Sequence, residues 1–252
     1  MKQPISAIYI TQNAEQTLAD SLKSLASFVD EIIIVDSGST DQTETIAQTA
    51  NARFMVREWA GFGKQKRFAV EQAKNDWVLC IDDDEVLSPE LAANIAKTLE
   101  NPPLFAYQFA RSNFFMGRFL KYGEGYPDWS LRLFNRNYAH WSDDDVHEQV
   151  VTHTQIGTIK GDLLHFSCDT LAEYLDKQNR YTSIQAQKML ERKKKVGRSK
   201  IIISPVFRFF RFYFIKRGFL DGWPGLVHIL IGCFNSMVKY AKFFEKQKAQ
   251  NK

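Results

Sequence analysis

The first hundred residues alternate between short apolar stretches and segments with helical periodicity, and this alternation constrains the fold more than any other feature. β-Rich stretches at 5–11 and 32–35 are each followed by a segment whose apolar residues recur at helical spacing. Two further strands are predicted at 52–58 and 77–82, and Ser88 followed by Pro89 is a strong helix start. Repeated strand–helix units predict an α/β fold, with a mostly parallel sheet and helices on both faces.

Carboxylates follow two of the predicted strands directly. Asp36 ends the second strand in "IIIVDSGSTD", and the run from Asp82 to Glu85 ends the fourth in "VLCIDDDE". Because ligands of such sheets bind outside the carboxyl ends of the strands, we expect these acidic residues to meet at one crevice.

Charge is divided unevenly along the 252 residues, although the formal net charge is only +4. Residues 1–187 carry 17 basic and 26 acidic side chains, whereas residues 188–252 carry 16 basic and 3 acidic ones. This asymmetry predicts an anionic partner for the last quarter of the chain, either nucleic acid or a membrane surface.

Aromatic and basic side chains interleave in "PVFRFFRFYFIKRGF", residues 205–219. The composition is typical of a helix that lies in an anionic membrane interface. RNA binding by stacking and phosphate contacts is one alternative, and a helix packed on a catalytic domain with its cations in solvent is another.

Targeting and redox signals are few. The three cysteines form no CxxC pair, which favours a reducing compartment. The N-terminus has no signal-peptide pattern, and no apolar stretch reaches the length of a spanning helix. We therefore expect a cytoplasmic protein, associated with the inner membrane only peripherally.

The D-x-D pair formed by Asp82 and Asp84 is the sharpest chemical signal. Carboxylates at this spacing suit Mg²⁺ or Mn²⁺, which bind substrate phosphates through one or two carboxylates and waters. The alternative is a solvated turn that caps the next helix. The polar turn "VDSGSTD" can accept a nucleotide, but the chain has neither the Walker A nor the GxGxxG pattern.

The segments "TQNAE", "DEIIIVDSGSTDQT" and "DWVLCIDDDE", in this order, resemble glycosyltransferase family 2, the inverting GT-A glycosyltransferases. The segments "DWSLRLFNR", "DVHEQV" and "KRGFLDGWPG" are similar to a subgroup that adds β-1,4-linked glucose to the inner-core heptose of lipopolysaccharide or lipooligosaccharide. Arg67 departs from that subgroup, in which we expect Asn.

The resemblance implies a GT-A catalytic domain at 1–187, with a nucleotide-sugar half at 1–103 and an acceptor half at 104–187. It implies a UDP-sugar donor, a lipid-linked saccharide acceptor and no nucleic acid. Residues 188–252 would form a basic helical extension that contacts the membrane. Donor contacts are expected from Thr11, Glu15, Asp36, Lys66, Asp82 and Asp83. The Mg²⁺ or Mn²⁺ ion is expected on Asp84 and Asp82.

Inverting transfer requires a carboxylate that takes the proton of the acceptor hydroxyl. In "SDDDVHEQV" we predict Glu148 as this base and Asp145 as the second candidate. Trp129 and Arg132 are predicted on one side of a strand, where they would contact the sugar ring and an anionic acceptor, with Tyr126 in the same cleft. The alternatives are core packing for Trp129 and a surface ion pair for Arg132.

Three other functions remain open at this point. A polyprenyl-phosphate sugar transferase has an anionic nucleophile and needs no base. A nucleotidyltransferase also uses a metal at a strand end but releases pyrophosphate. A nucleic-acid-binding protein would use the basic tail and leave the acidic run unexplained.

Overall fold

The structure is a computed structural model and describes residues 2–25, 27–142, 148–166, 170–194 and 196–250. Its strands are β1 (Ile5–Thr11), β2 (Glu31–Asp36), β3 (Arg53–Val56), β4 (Trp77–Cys80), β5 (Glu85–Leu87), β6 (Ala106–Phe115), β7 (Arg118–Phe119), β8 (Asp128–Asn135), β9 (Ala139–Trp141), β10 (Val150–Thr152) and β11 (Ile156–His165). Its α-helices are α1 (Leu18–Leu25), α2 (Thr43–Thr49), α3 (Phe62–Glu71), α4 (Pro89–Thr98), α5 (Leu171–Glu191), α6 (Lys200–Phe210) and α7 (Gly222–Gln250).

The chain divides into two compact units. The first comprises Met1–Arg111 and Asp128–His165, and the second comprises Ser112–Pro127 and Phe166–Lys252. The boundary predicted between a catalytic domain and a basic extension, at residues 187 and 188, falls inside α5 and thus inside the second unit. As a division of function it stays a prediction.

The first unit is built on a mixed sheet in the order β3-β2-β1-β4-β8-β6-β11-β5. Strands β3, β2, β1 and β4 are parallel, and β8 joins β4 antiparallel. A small antiparallel pair, β9 and β10, completes the unit. The predicted α/β class is confirmed as a mixed sheet flanked by helices, in which β3, β2, β1 and β4 form the parallel part.

Apolar residues of β1 alternate between two cores, one on each face of the sheet. Ile5 and Tyr9 pack with helices α1, α2 and α4, whereas Ile8 and Ile10 pack with α3. Because successive side chains of a strand point to opposite faces, a strand covered on both faces is apolar throughout. Ser88 caps α4 as predicted, since its Oγ accepts a hydrogen bond from the Leu91 backbone N–H.

The second unit is mainly helical, as predicted for the C-terminal part of the chain. Helix α7 packs along both α5 and α6, and a π-helical turn at Arg211–Ile215 and a 3₁₀ turn at Gly218–Asp221 connect α6 with α7. Asp221 is buried and accepts hydrogen bonds from the backbone N–H groups of Lys121 and Tyr122. No described helix is both long and apolar enough to cross a membrane.

Candidate active site

The carboxyl ends of β1 and β2 form a hydrogen-bonded polar edge. Thr11 pairs with Asp36 in the parallel register, and its Oγ1 donates to Asp36 Oδ1 at 2.9 Å. The backbone N–H groups of Gly38 and Ser39 donate to Asp36 Oδ2 at 2.8 and 2.7 Å. Gly38 has φ +91°, a conformation that favours glycine, so this turn requires its residue type. Asp36 is buried and fixes the turn, and its nucleotide contact stays a prediction.

Glu15 is exposed just beyond the same edge. Its Oε2 accepts a hydrogen bond from the Gln42 backbone N–H at 3.1 Å, and its own N–H donates to Asp41 Oδ2 at 3.1 Å. Glu15 therefore ties the segment after β1 to the start of α2, beside the predicted donor position.

Protein cations lie against the acidic run that follows β4. Lys66 Nζ is 2.9 Å from Asp82 Oδ1, and Arg132 Nη2 is 2.6 Å from Asp82 Oδ2. Burial alone would raise the pKa of Asp82, but Arg132 and Lys66 together lower it below its usual range. Asp82 is therefore ionised, and both of its oxygens are bound by cations.

Glu85, the last carboxylate of the acidic run, is fully buried. It accepts hydrogen bonds from Arg132 Nη2 at 2.8 Å and Arg111 Nη1 at 3.3 Å, and its second oxygen accepts from the Asp82 backbone N–H at 3.0 Å. Arg111 in turn binds Asp128 at 2.6 Å. Sequence reasoning missed Arg111; the signal was an arginine in the apolar strand pattern "FARSNFF".

A β-bulge gives Arg132 its position. Tyr107 of β6 pairs with Leu133, and the next residue, Gln108, pairs with Leu131, so Arg132 is an extra residue in β8. Bulges commonly redirect a side chain beside an active site. Trp129 and Arg132 were predicted on one side of the strand; in the structure Trp129 is 50% exposed, whereas Arg132 is buried. With its guanidinium bound to carboxylates, an acceptor contact by Arg132 stays a prediction.

Lys66 joins the acidic run to the predicted catalytic base. Its ammonium group lies 3.2 Å from Glu148 Oε1 while it contacts Asp82, and it sits 4.7 Å above the ring of Trp141. Lys66 is only 5% exposed, so these partners surround it. The structure thus brings Asp82, Lys66 and Glu148 together, whereas Asp145 lies outside the described residues.

Trp141 is a further site residue that sequence reasoning missed. Its indole Nε1 donates to Cys80 Sγ at 3.3 Å, and its backbone carbonyl accepts from Arg67 Nη2 at 2.8 Å. Arg67, where the resemblance led us to expect Asn, therefore holds the strand that carries Trp141. Burial raises the pKa of the Cys80 thiol to about 11, which keeps the thiol protonated and unreactive.

Asp82 and Glu85 are bound by protein cations, so Asp83 and Asp84 are the carboxylates of the run that suit a metal ion best. Thr17 Oγ1 lies 3.4 Å from Asp83 Oδ2, and burial, with help from the Asp84 and Asp82 charges, raises the pKa of Asp83 to about 6. Asp84 Oδ2 is 3.3 Å from His165 Nε2 at the end of β11. Adjacent carboxylates and an imidazole are donors that suit Mn²⁺, with Mg²⁺ relying on the carboxylates.

Among the described residues, no three such side chains converge on one metal position. Mg²⁺ sites usually have one or two carboxylate ligands, with substrate oxygens and waters as the others, and Asp83 and Asp84 suit such a site. His165 was not predicted; a histidine near the end of a strand has too little sequence context to be recognised as a site residue.

Two predicted acceptor residues lie in different units. Trp129 is half exposed at the start of β8 in the first unit. Tyr126 is partly buried in the second unit, where it precedes a cis peptide bond to Pro127. Their acceptor contacts stay predictions.

Residues 6–156 match the family model described as glycosyl transferase family 2. An uncharacterized glycosyltransferase of Rickettsia typhi is 31% identical over 253 residues, covering 96% of this chain and 87% of the relative. The lipopolysaccharide core biosynthesis glycosyltransferase LpsC of Rhizobium meliloti is 30% identical, covering 97% of this chain and 93% of the relative.

Solved structures show weaker likeness. Staphylococcus aureus TarS covers 99% of this chain and 92% of its own at 16% identity, with a TM-score of 0.47. Glucosyl-3-phosphoglycerate synthase of Mycobacterium tuberculosis, solved with Mn²⁺ and UDP, is 26% identical over 46% of this chain and 45% of its own, with a TM-score of 0.37.

Proposed function

Since the chain belongs to glycosyltransferase family 2, we propose that it transfers a hexose from a UDP-sugar to an acceptor hydroxyl, with inversion at the anomeric carbon. The fold is of the GT-A type. The observation that carries the proposal is the position of Lys66, whose ammonium contacts both Asp82 of the D-x-D run and Glu148. Donor-side and acceptor-side carboxylates thus belong to one cluster.

The donor is held by the carboxyl edge of the sheet. The turn that Asp36 fixes through Thr11 and Ser39 forms the floor for the uridine, and Glu15 stands beside it. Lys66 supplies a buried positive charge for the diphosphate. Asp82 and Asp83 would face the donor on the side of a bound metal ion, which would separate their charges from the diphosphate. UDP-glucose is the first donor to test.

The metal site is best assigned to Asp84, with His165 beside it. A bound Mg²⁺ or Mn²⁺ would supply positive charge to the diphosphate as it leaves. Asp82 as a second ligand stays a prediction, since Lys66 and Arg132 already neutralise it.

Glu148 acts as the general base. A carboxylate near the reacting carbon accepts the acceptor's proton as the hydroxyl attacks, and such transfers contribute about 10²–10⁴-fold to rate. The ion pair with Lys66 holds the Glu148 carboxylate in place before the acceptor arrives.

We propose an inner-core heptose of a lipid-linked saccharide as the acceptor, on the cytoplasmic face of the inner membrane. The relative LpsC, described as a lipopolysaccharide core enzyme, supports this choice along nearly the whole chain. Residues 188–252, with 16 basic and 3 acidic side chains, supply the contact with the anionic surface.

The test is thermal unfolding of the purified protein with UDP-sugars, GDP-sugars and nucleoside triphosphates, each with and without Mn²⁺. A ligand at 100 times its dissociation constant adds about 2.7 kcal/mol to the free energy of unfolding. We expect stabilisation by UDP-glucose that requires Mn²⁺. Stabilisation by triphosphates alone would instead identify a nucleotidyltransferase.

The product then decides the acceptor class. Incubation with UDP-glucose and a heptose-containing core saccharide should release UDP and yield a β-linked glucose, read from the anomeric coupling constant by NMR. Transfer only to polyprenyl phosphate would contradict the proposed acceptor, and an α-linkage would contradict inversion.

A further inference from the structure

Helix α6 and the turns that follow it expose a stripe of apolar side chains on the surface of the second unit. None of the residues of α6 is buried. Its exposed apolar side chains are Ile202, Ile203, Val206, Phe207 and Phe210, and the π-helical turn adds Phe214. Positions 203, 207, 210 and 214 follow helical spacing, so one side of the helix is apolar along its whole length.

The stripe continues through the turns into the start of α7. Ile215 is 74% exposed and Trp223 61% exposed, and Phe219 and Leu220 between them are each nearly half exposed. Soluble monomers rarely expose contiguous apolar surface of this extent unless it binds something. We call residues 202–223 with these exposed side chains the apolar stripe.

Cations flank the apolar stripe, and its one acidic residue, Asp221, is buried. Lys200 and Arg211 are exposed and eleven residues apart, about three helical turns, so they lie on one border of the stripe. Lys216 and Arg217 are exposed beyond the π-helical turn. No Asp or Glu occurs between residues 192 and 220. Arg208 is a separate case, because it binds Glu124 inside the second unit.

We propose that the apolar stripe lies flat in an anionic lipid surface, with its rings and aliphatic side chains at the acyl boundary and its cations at the head groups. Apolar residues along one side of a helix with cations at the border are typical of interfacial helices. The apolar residues run along the helix rather than clustering at one end, which places the helix axis parallel to the membrane. This inference rests on the membrane contact proposed for residues 188–252 and names the side chains that make it. It does not depend on the transfer chemistry.

Charge and shape disfavour the other occupants. A second copy of this chain would bring a like-charged border against the stripe, and like charges repel. RNA would need planar groups for base stacking, whereas five exposed positions of the stripe are aliphatic: Ile202, Ile203, Val206, Ile215 and Leu220. Acyl chains accept aliphatic and aromatic side chains equally.

The test is flotation of the full-length protein with vesicles, in the absence of donor and acceptor, so failure of the proposed transfer would not affect it. Vesicles of phosphatidylethanolamine and phosphatidylglycerol should float the protein, and phosphatidylcholine vesicles should do so at least about 10-fold less well. Reversal of Arg211, Lys216 and Arg217 to Glu should lower the partition coefficient about 100-fold.

Two matched variants separate the causes. Reversal of Lys23, Lys97 and Lys160, exposed cations of the first unit, makes the same change in net charge and should leave flotation unchanged. Phe207, Phe210 and Phe214 changed together to Ser should abolish flotation with both vesicle types. Trp223 fluorescence in the unaltered protein should be quenched by brominated acyl chains, and Trp223→Phe should remove most of that quenching.

Protein that stays in the bottom fraction of the gradient with anionic vesicles would overturn the proposal. So would equal loss of flotation in both charge-reversed variants, dimerisation abolished by the Phe-to-Ser changes, or RNA binding that persists at physiological salt.

Discussion

At the scale of single residues, Lys66 determines how the site is organised. A buried ammonium between Asp82 and Glu148 neutralises part of the acidic run and holds the predicted base in place. The ammonium is shielded from water, so its attraction to the two partly buried carboxylates is stronger than in a surface pair of the same geometry. With the roles proposed above, donor binding and proton removal would depend on one shared cation.

We predict that Glu148→Gln lowers the rate of transfer by about 10²–10⁴-fold, because the amide cannot accept the proton. Affinity for the UDP-sugar should change little, since Lys66 keeps its contact with Asp82. Single-turnover kinetics and donor titration measure the two effects. Asp145→Asn is the comparison: if it, and not Glu148→Gln, stops transfer, the base is the second candidate.

We predict that Asp84→Ala abolishes metal-dependent turnover and weakens Mn²⁺ binding in the presence of UDP at least about 10-fold, because it removes a first ligand. His165→Gln should act in the same direction with smaller effect, since the imidazole lies 3.3 Å from Asp84. Calorimetric titration of Mn²⁺ provides the measurement. Glu90→Gln, an exposed change in α4, is the control, and unchanged Mn²⁺ affinity in Asp84→Ala would refute the assignment.

At the scale of elements, the bulge in β8 places a charged side chain inside the sheet. Strand β8 pairs with β4 on one side and β6 on the other, and the extra residue Arg132 reaches Asp82 and Glu85. Burial would lower the pKa of Arg132, but these two carboxylates raise it, so the guanidinium stays charged. Strand β8 thereby fixes the turn after β4 that carries Asp82 and Asp84.

We predict that Arg132→Met lowers the free energy of unfolding by about 3–5 kcal/mol, because it leaves the buried Glu85 with one fewer cation. Urea denaturation measures the loss. Adding Glu85→Gln should recover part of it, since the amide carries no charge. If the double variant is destabilised by the sum of the two single changes, Arg132 and Glu85 are not coupled.

At the scale of the whole molecule, the two units carry different chemistry. The first unit holds the described side chains of the candidate active site, apart from Tyr126, and the second holds the apolar stripe and most of the basic excess. Each unit also has a partly buried titratable group whose pKa is shifted, Asp83 in the first and His228 in the second. Both groups should contribute to the pH dependence of stability.

We predict that stability falls between pH 6.5 and pH 4 because of His228. Burial, with the Arg208 charge, lowers the pKa of His228 from 6.5 to about 4. Above pH 6.5 the imidazole is neutral in both the folded and the unfolded state. Between pH 6.5 and pH 4 it is protonated only in the unfolded state, which lowers the free energy of unfolding by up to about 3 kcal/mol. His228→Phe, which keeps a ring against Phe115, should flatten this part of the profile.

Asp83 contributes with the opposite sign, because its raised pKa of about 6 means that the folded state binds a proton more readily than the unfolded one. Asp83→Asn should therefore steepen the loss of stability on acidification. Chemical denaturation at several pH values distinguishes the two variants. A profile for His228→Phe that is unchanged from the unaltered protein would show that His228 does not titrate as described.

The sequence by itself determined the class of fold, the order of strands and helices in the first hundred residues apart from the short strand β5, and the positions of Asp36 and the acidic run after strands. These features are local: apolar periodicity, a Ser-Pro helix start and polar residues after apolar strands depend on neighbours in the chain. The resemblance of three ordered segments also identified the family correctly.

Only the tertiary structure decided which charges meet. Lys66 and Glu148 are 82 residues apart, and Arg132 reaches Asp82 across 50 residues through a bulge. Asp84 and His165 meet because β11 ends beside the acidic run. Pairings between distant segments follow from sheet order and register, which no local pattern encodes. For the same reason, the sequence identified an acidic cluster in need of a counter-charge but not the cations that supply it.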